Sequence, residues 1–114
     1  MIQQQNWEDE IRILITDEQN CGSVQVSIPL YNSDIYCKAD ALIYALYVDS
    51  VCREQGIGNK LLKLAEQQAK LRGVQIIALK IDNDCDNFVL NWYLRNGYRF
   101  FSKNDNLLIK ELED

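Results

Sequence analysis

The sequence predicts an α/β fold, a single mixed sheet around a central βαβ unit with the element order β-β-β-α-β-α-β-β. Three observations carry the prediction. Segments 41–48 and 74–81 are strongly apolar and read as buried strands. An amphipathic stretch of helical period lies between them, at a length that makes the unit a right-handed crossover. A chain of 114 residues, 47% hydrophobic and 25% charged, fits one globular domain over residues 1–114 and leaves no room for two.

The elements follow in order. Ile11, Ile13 and Ile15 alternate along a strand over 11–16, and the turn-rich segment 17–22 returns the chain as a second strand over 23–28. The single proline, Pro29, sits where that strand ends. Residues 30–40, with Asn, Ser and Asp, read as a loop. Ala41 to Val48 is apolar on both faces, as a central strand would be. From about Gly56 to Arg72, Ile57, Leu61, Leu64 and Ala65 form one helical stripe, and Gly73 stands where a left-handed cap belongs. After the strand at 74–81, a short helix over 86–96 ends at Gly97. A closing hairpin, 98–101 with 107–112, turns at Lys103-Asn104-Asp105-Asn106. Residues 1–22 contain no amphipathic helix.

Charge and composition exclude several kinds of function. Seventeen acidic against twelve basic residues give a net charge of −5, which repels phosphate backbones and anionic membranes and suits a cationic amine or basic peptide. Nucleic acid and membrane are therefore not expected partners. With no histidine, Ser-His-Asp and Cys-His catalysis, imidazole bases and His-ligated zinc are unavailable. Cys21, Cys37, Cys52 and Cys85 form no C-x-x-C pair, and the N-terminus lacks a signal peptide's basic start and apolar core. The expectation is a cytoplasmic protein with four free thiols. The longest apolar run is less than half the ~20 residues of a membrane helix. Asp82-Asn83-Asp84-Cys85-Asp86 alternates carboxylates, but a calcium loop would need glycine at 87 and glutamate at 93, where the chain has Asn87 and Tyr93. A strand exit with Asp84 or Asp86 as helix N-cap explains the run, and no metal is expected.

The junction Arg53-Glu54-Gln55-Gly56-Ile57-Gly58 joins the buried strand to the long helix. Two glycines there let the backbone approach a ligand and turn the unpaired amides of a helix N-terminus outward, an arrangement suited to a pyrophosphate. A glycine-rich helix entry without a ligand is the competing reading. The dinucleotide fingerprint fails because Leu61 stands where its third glycine would be, and Asn59-Lys60 after Gly58 excludes a P-loop.

The segment Leu46-Tyr47-Val48-Asp49-Ser50-Val51-Cys52-Arg53-Glu54-Gln55-Gly56-Ile57-Gly58 resembles motif A of the GNAT superfamily of acyl-CoA-dependent N-acyltransferases, L-x-V-x-P-x-x-[RQ]-x-x-G-x-[GA], with Ser50 at the usual proline. Trp92-Tyr93-Leu94-Arg95-Asn96-Gly97-Tyr98 resembles the superfamily's aromatic-Tyr-x-[KR]-x-G-[FY] signature at the end of its next helix. The two matches stand in the expected order and cover about residues 42–101.

The resemblance implies a mostly antiparallel sheet, acetyl-CoA as co-substrate, and transfer of the acetyl group to a primary amine in a ternary complex. It implies that the amides of Arg53, Glu54, Gln55, Gly56, Ile57 and Gly58, with Asn59 and Lys60 next in line, hold the pyrophosphate. Leu46, Tyr47 and Val48 would pair with the pantetheine arm, and an amide there would polarise the thioester carbonyl. Tyr93 matches the tyrosine that protonates the departing thiolate, and Asp86 or Asn87 stands near the family's pantetheine-binding asparagine.

Against each role stands a plain one. Tyr93 can pack the short helix, Arg53 and Lys60 can be solvated charges, Trp92 and Tyr98 read as core, and Cys52 reads as a buried or incidental thiol. No base is assigned, because Leu42 holds the place of the glutamate some members use and Asp40 lies two residues away. The helices that family members place between their first two strands are missing. The acceptor side is then open, completed by a second subunit in a homodimer, or suited to a peptide or protein amine, and the acceptor expected is a small-molecule amine or a peptide or protein amine. A non-catalytic CoA-binding or protein-interaction module is the alternative reading, and an oligomer building block a third.

Overall fold

The computed structural model describes residues 1–30, 39–53, 55–82, 84–102 and 106–112. The strands are β1 (Ile2–Asn6), β2 (Glu10–Thr16), β3 (Gly22–Pro29), β4 (Ala41–Val48), β5 (Ile76–Lys80), β6 (Arg99–Ser102) and β7 (Leu107–Glu111). The helices are α1 (Ile57–Leu71) and α2 (Asn87–Arg95), with a short 3-10 turn at Ser50–Cys52. Seven strands form one sheet in the order β1-β2-β3-β4-β5-β7-β6, antiparallel throughout except for the parallel pair β4–β5. The loop expected over 30–40 and the turn at 103–106 fall largely outside the described residues.

The predicted elements form, and β1 is added in front of them. Its five residues are all exposed, so it carries no apolar alternation to read. Main-chain pairing with β2 holds it, and the Thr16 N–H donates to the Met1 carbonyl at 2.8 Å. The amino-terminal region is thus a strand pair where the superfamily would place helices.

One face of the sheet carries the main core. Ile13 and Ile15 of β2, Val24 and Val26 of β3 and Ile77 and Leu79 of β5 meet Leu61, Leu62, Ala65 and Ala69 of α1. Leu90, Trp92 and Tyr93 of α2 pack on the same cluster, so both helices lie on that face. A smaller cluster, Ala78, Leu107 and Ile109 with Leu42 and Ile76, occupies the opposite face.

Both helices end in the same way. Gly73 and Gly97 adopt left-handed φ values of 86° and 94°. The N–H groups of Gly73 and Val74 donate to the carbonyls of Lys70 and Ala69, and those of Gly97 and Tyr98 to Leu94 and Tyr93. These are Schellman caps. In the second, the residue after the glycine packs on the residue five before it, with the Tyr93 and Tyr98 rings edge to face at 6.0 Å. The Tyr-x-x-x-Gly-Tyr spacing is therefore a cap that fixes where Tyr93 stands.

Tyr98 is buried, as its core reading anticipates. Its hydroxyl donates to Glu66 at 2.8 Å, and Lys110 donates to the other Glu66 oxygen at 2.9 Å, tying α1 to β7. Glu66→Ala leaves a buried hydroxyl without its acceptor and is expected to destabilise the fold by about 2 kcal/mol in urea unfolding.

The expectation of four free thiols is corrected. Cys21 and Cys52 form a disulfide, their Cα atoms 5.7 Å apart. Sheet pairing brings them together: Gly22 lies opposite Val48, which places Cys21 beside the turn that follows β4. Cys85 is the free cysteine among the described residues, and Cys37 lies outside them. No described helix is long and apolar enough to cross a membrane.

Candidate active site

The site begins with an irregularity in β4. Between the pairs Ser23–Tyr47 and Gln25–Tyr44, β3 advances two residues while β4 advances three, so β4 carries a bulge. Ala45 sits in it with φ of 55°, a left-handed conformation strained for alanine. The extra residue reverses the strand's alternation. Ala41 and Ile43 face the helices before it, Leu46 and Val48 after it, while Tyr47 is 57% exposed. This corrects the reading of β4 as buried on both faces. Its even apolarity is two half-strands of opposite phase.

The parallel ladder between β4 and β5 runs only from Ala41–Ile77 to Ile43–Leu79. Beyond Ile43 no further β4–β5 pair forms among the described residues, and the two strands diverge. The resulting wedge encloses about 330 Å³, lined by Tyr44, Ala45 and Leu46 on one side, Lys80 and Asp82 on the other, with Cys85, Val89 and Tyr93 closing it.

A second cavity, of about 380 Å³, lies at the far end of the same strand. Val48, Cys52, Arg53, Gly56, Ile57, Gly58 and Asn59 form one wall, and Phe88 and Trp92 the other. Its walls are largely apolar side chains edged by the glycine turn. Helix α2 serves both cavities with two i, i+4 pairs: Phe88 and Trp92 face the turn, Val89 and Tyr93 the wedge. Asp86 makes this possible by capping the helix, accepting from the Phe88 N–H at 3.0 Å. A larger open groove of about 820 Å³ runs along α1 and β7 past Lys63, Glu66 and Arg95, and neither turn nor wedge borders it.

At the turn, Gly56 takes a left-handed φ of 75° and starts α1. The first backbone bond there runs from the Lys60 N–H to the Gly56 carbonyl, so the N–H groups of Ile57, Gly58 and Asn59 precede any carbonyl the helix can offer them. Among the described residues no side-chain cap is formed at this helix start. Gly58 lies against the Trp92 ring, where an added Cβ would stand at 3.6 Å. The Arg53 guanidinium donates to the Val48 carbonyl at 3.4 Å, bracing the turn against the strand end. Gln55 and Lys60 are exposed beside it, and Glu54 lies outside the described residues.

Tyr93 is half-buried, and burial, helped by the nearby Cys85 thiol, raises its pKa above the ordinary phenol value. The Cys85 thiol in the same wedge is raised too, first by burial and then by Asp82, Asp86 and Asp84. Sequence reading left Cys85, Tyr44 and Ala45 out of the site, because nothing in their residue types marks them.

Trp92, read as core, does pack on it, but it also walls the cavity beside the glycine turn and donates its indole N–H to Asn59 at 2.8 Å. Asp40 accepts from the Gln75 and Ile76 N–H groups at 3.0 and 3.1 Å, at the end of β4 away from the wedge, and Leu42 belongs to the opposite-face cluster. Neither residue is placed as a base. Among the described residues no group of three acidic or sulfur side chains is arranged to hold a metal.

The comparisons agree with this architecture. The model of the acetyltransferase (GNAT) family matches residues 2–98. An acetyltransferase of the GNAT family from Staphylococcus aureus Mu50 superposes with a TM-score of 0.68 at 17% identity, over 91% of this chain and 68% of that one. The PaiA N-acetyltransferase of Thermoplasma acidophilum, solved in complex with coenzyme A, gives 0.66 at 19% identity over 90% and 61%. The ribosomal-protein-S18-alanine N-acetyltransferase of Escherichia coli gives 0.67 at 14% over 96% and 73%. No curated protein sequence matches. With the family match spanning residues 2–98, and a fold of the same architecture as these neighbours, this chain belongs to the GNAT acetyltransferase family.

Proposed function

We propose that the protein transfers an acetyl group from acetyl-CoA to a primary amine by direct attack in a ternary complex. The observation that carries this reading is the placement of two cavities along β4 and one face of α2, with the start of α1 at one and Tyr93 at the other. The diphosphate would rest on the amides of Gly56 to Asn59, where the helix dipole favours negative charge. The pantetheine arm would follow Val48 and Leu46, using main-chain groups that β5 does not engage. The thioester would then lie in the wedge near the bulge, whose amide polarises the carbonyl.

The neutral amine attacks that carbonyl, a C–N bond forms, the C–S bond breaks and the thiolate takes the Tyr93 proton, while the proton shed by the attacking nitrogen passes through water and restores the phenol, leaving neutral amide and CoA thiol. Burial raises the Tyr93 pKa above the ordinary phenol value, so the phenol carries its proton through the neutral range and has it to give as the C–S bond breaks. The amine would enter from the sheet face opposite the helices, where the described residues place no α-helix. The coenzyme A complex of the Thermoplasma neighbour supports the cofactor, and the S18-alanine enzyme supports a protein amine as one acceptor class beside small amines.

Release of free CoA thiol from acetyl-CoA, measured with spermidine, amino acids and lysine peptides as acceptors, tests the proposal. Amine-stimulated release is expected. CoA binding without release for any amine would instead favour a CoA-binding module, the reading motivated by the uncovered face and the unplaced base.

A further inference from the structure

Resting on the cofactor reading above, we propose that Trp92 is a positioning residue that commits Asn59 to donating hydrogen bonds to the diphosphate. An asparagine amide is ambivalent, accepting at its oxygen and donating at its nitrogen, whereas an indole N–H can only donate. The 2.8 Å bond from Trp92 Nε1 therefore holds the Asn59 oxygen inward and turns Nδ2 the other way. Asn59 is exposed, third in α1 beside the bare amides, and no acceptor among the described residues takes its Nδ2 hydrogens. Two side-chain donors thus join the backbone donors of the turn on the wall of the same cavity.

Trp92 is itself well held. Its ring lies over Gly58, where an added Cβ would stand in ordinary contact at 3.6 Å, and its centroid is 4.9 Å from that of the Tyr93 ring. The residue next to the proposed acid therefore orients a donor at the diphosphate, so α2 serves both the thioester and the diphosphate. The sequence reading of Asn59 as merely next in line becomes a specific role with a cause.

Calorimetric titration with CoA tests this. Asn59→Asp keeps the size and the acceptor for the indole but replaces the donors with a negative charge, and Kd is expected to rise at least tenfold with little change in Tm. Trp92→Phe removes the orienting bond, and about a fivefold rise is expected, the yield of one neutral hydrogen bond. Combining Trp92→Phe with Asn59→Ala should cost no more than Asn59→Ala alone, because both act on one interaction. An Asn59→Asp variant that binds within twofold of the unchanged chain overturns the proposal, as do Trp92→Phe and Asn59→Ala effects that multiply. If Trp92→Phe fails to fold, the exposed Asn59 variants still decide it. Loss of CoA binding in the unchanged chain would overturn the cofactor reading itself and this inference with it; binding indifferent to Asn59→Asp overturns this inference alone.

Discussion

A Tyr93→Phe variant is expected to bind CoA within twofold of the unchanged protein and to turn over acetyl-CoA on the order of a hundredfold more slowly, the lower range for loss of a general acid. The ring would remain against Tyr98 and Trp92, so the fold and the phosphate turn keep their supports. What disappears is the proton for the departing thiolate. The pH dependence follows from the raised Tyr93 pKa. A group that must be protonated, and whose pKa lies above the ordinary phenol value of about 10, stays competent through the neutral range. Rates should therefore climb with pH as the acceptor ammonium loses its proton, and fall only above about pH 10. Tyr93→Phe should keep the climb and lose the alkaline fall. Full turnover in the variant would remove the acid assignment and leave the cofactor site standing.

Replacing Cys21 and Cys52 by serine is expected to cost roughly 3 to 4 kcal/mol, through the entropy restored to an unfolded chain no longer closed across a separation of 31 residues. A domain of this size would lose about 10 to 15 °C in Tm. The bridge ties the start of β3 to the turn that follows β4, directly ahead of the glycine turn. The Asp49 N–H adds a hydrogen bond to the Cys21 carbonyl at 2.7 Å. Gly22, beside it, sits so close to β4 that a Cβ would stand 2.5 Å from the Tyr47 carbonyl oxygen. Urea unfolding with and without a reductant measures the effect. Equal midpoints in the two conditions would show that the bridge contributes nothing.

The parts legible in the sequence were those with local signals. The helical stripe from Ile57 to Ala65 and the glycines at 73 and 97 follow from periodicity and backbone conformation within a few residues, and the helices end where those glycines predict. Strand β1 escaped because an edge strand of Ile and polar residues buries nothing. The bulge escaped because Ala45, unlike glycine or asparagine, does not announce a left-handed residue. The remaining features are products of tertiary structure: Cys21 meeting Cys52, Trp92 meeting Asn59, and Asp40 turning to the start of β5. Sequence spacing contains none of these contacts. The glycine turn and Tyr93 could be read as neighbours in function only through the family resemblance, and the i, i+4 pairs of α2 supply the physical link between them.

Binding of CoA as proposed requires that the main-chain donors at the start of α1 be available to a diphosphate. Titrating CoA into 15N-labelled protein and following the amide resonances of Gly56, Ile57, Gly58 and Asn59 addresses this directly. Saturable shifts concentrated on those four amides and on Val48 are expected. Resonances that stay in place at saturating CoA, or shifts gathered instead along the α1–β7 groove, would contradict it.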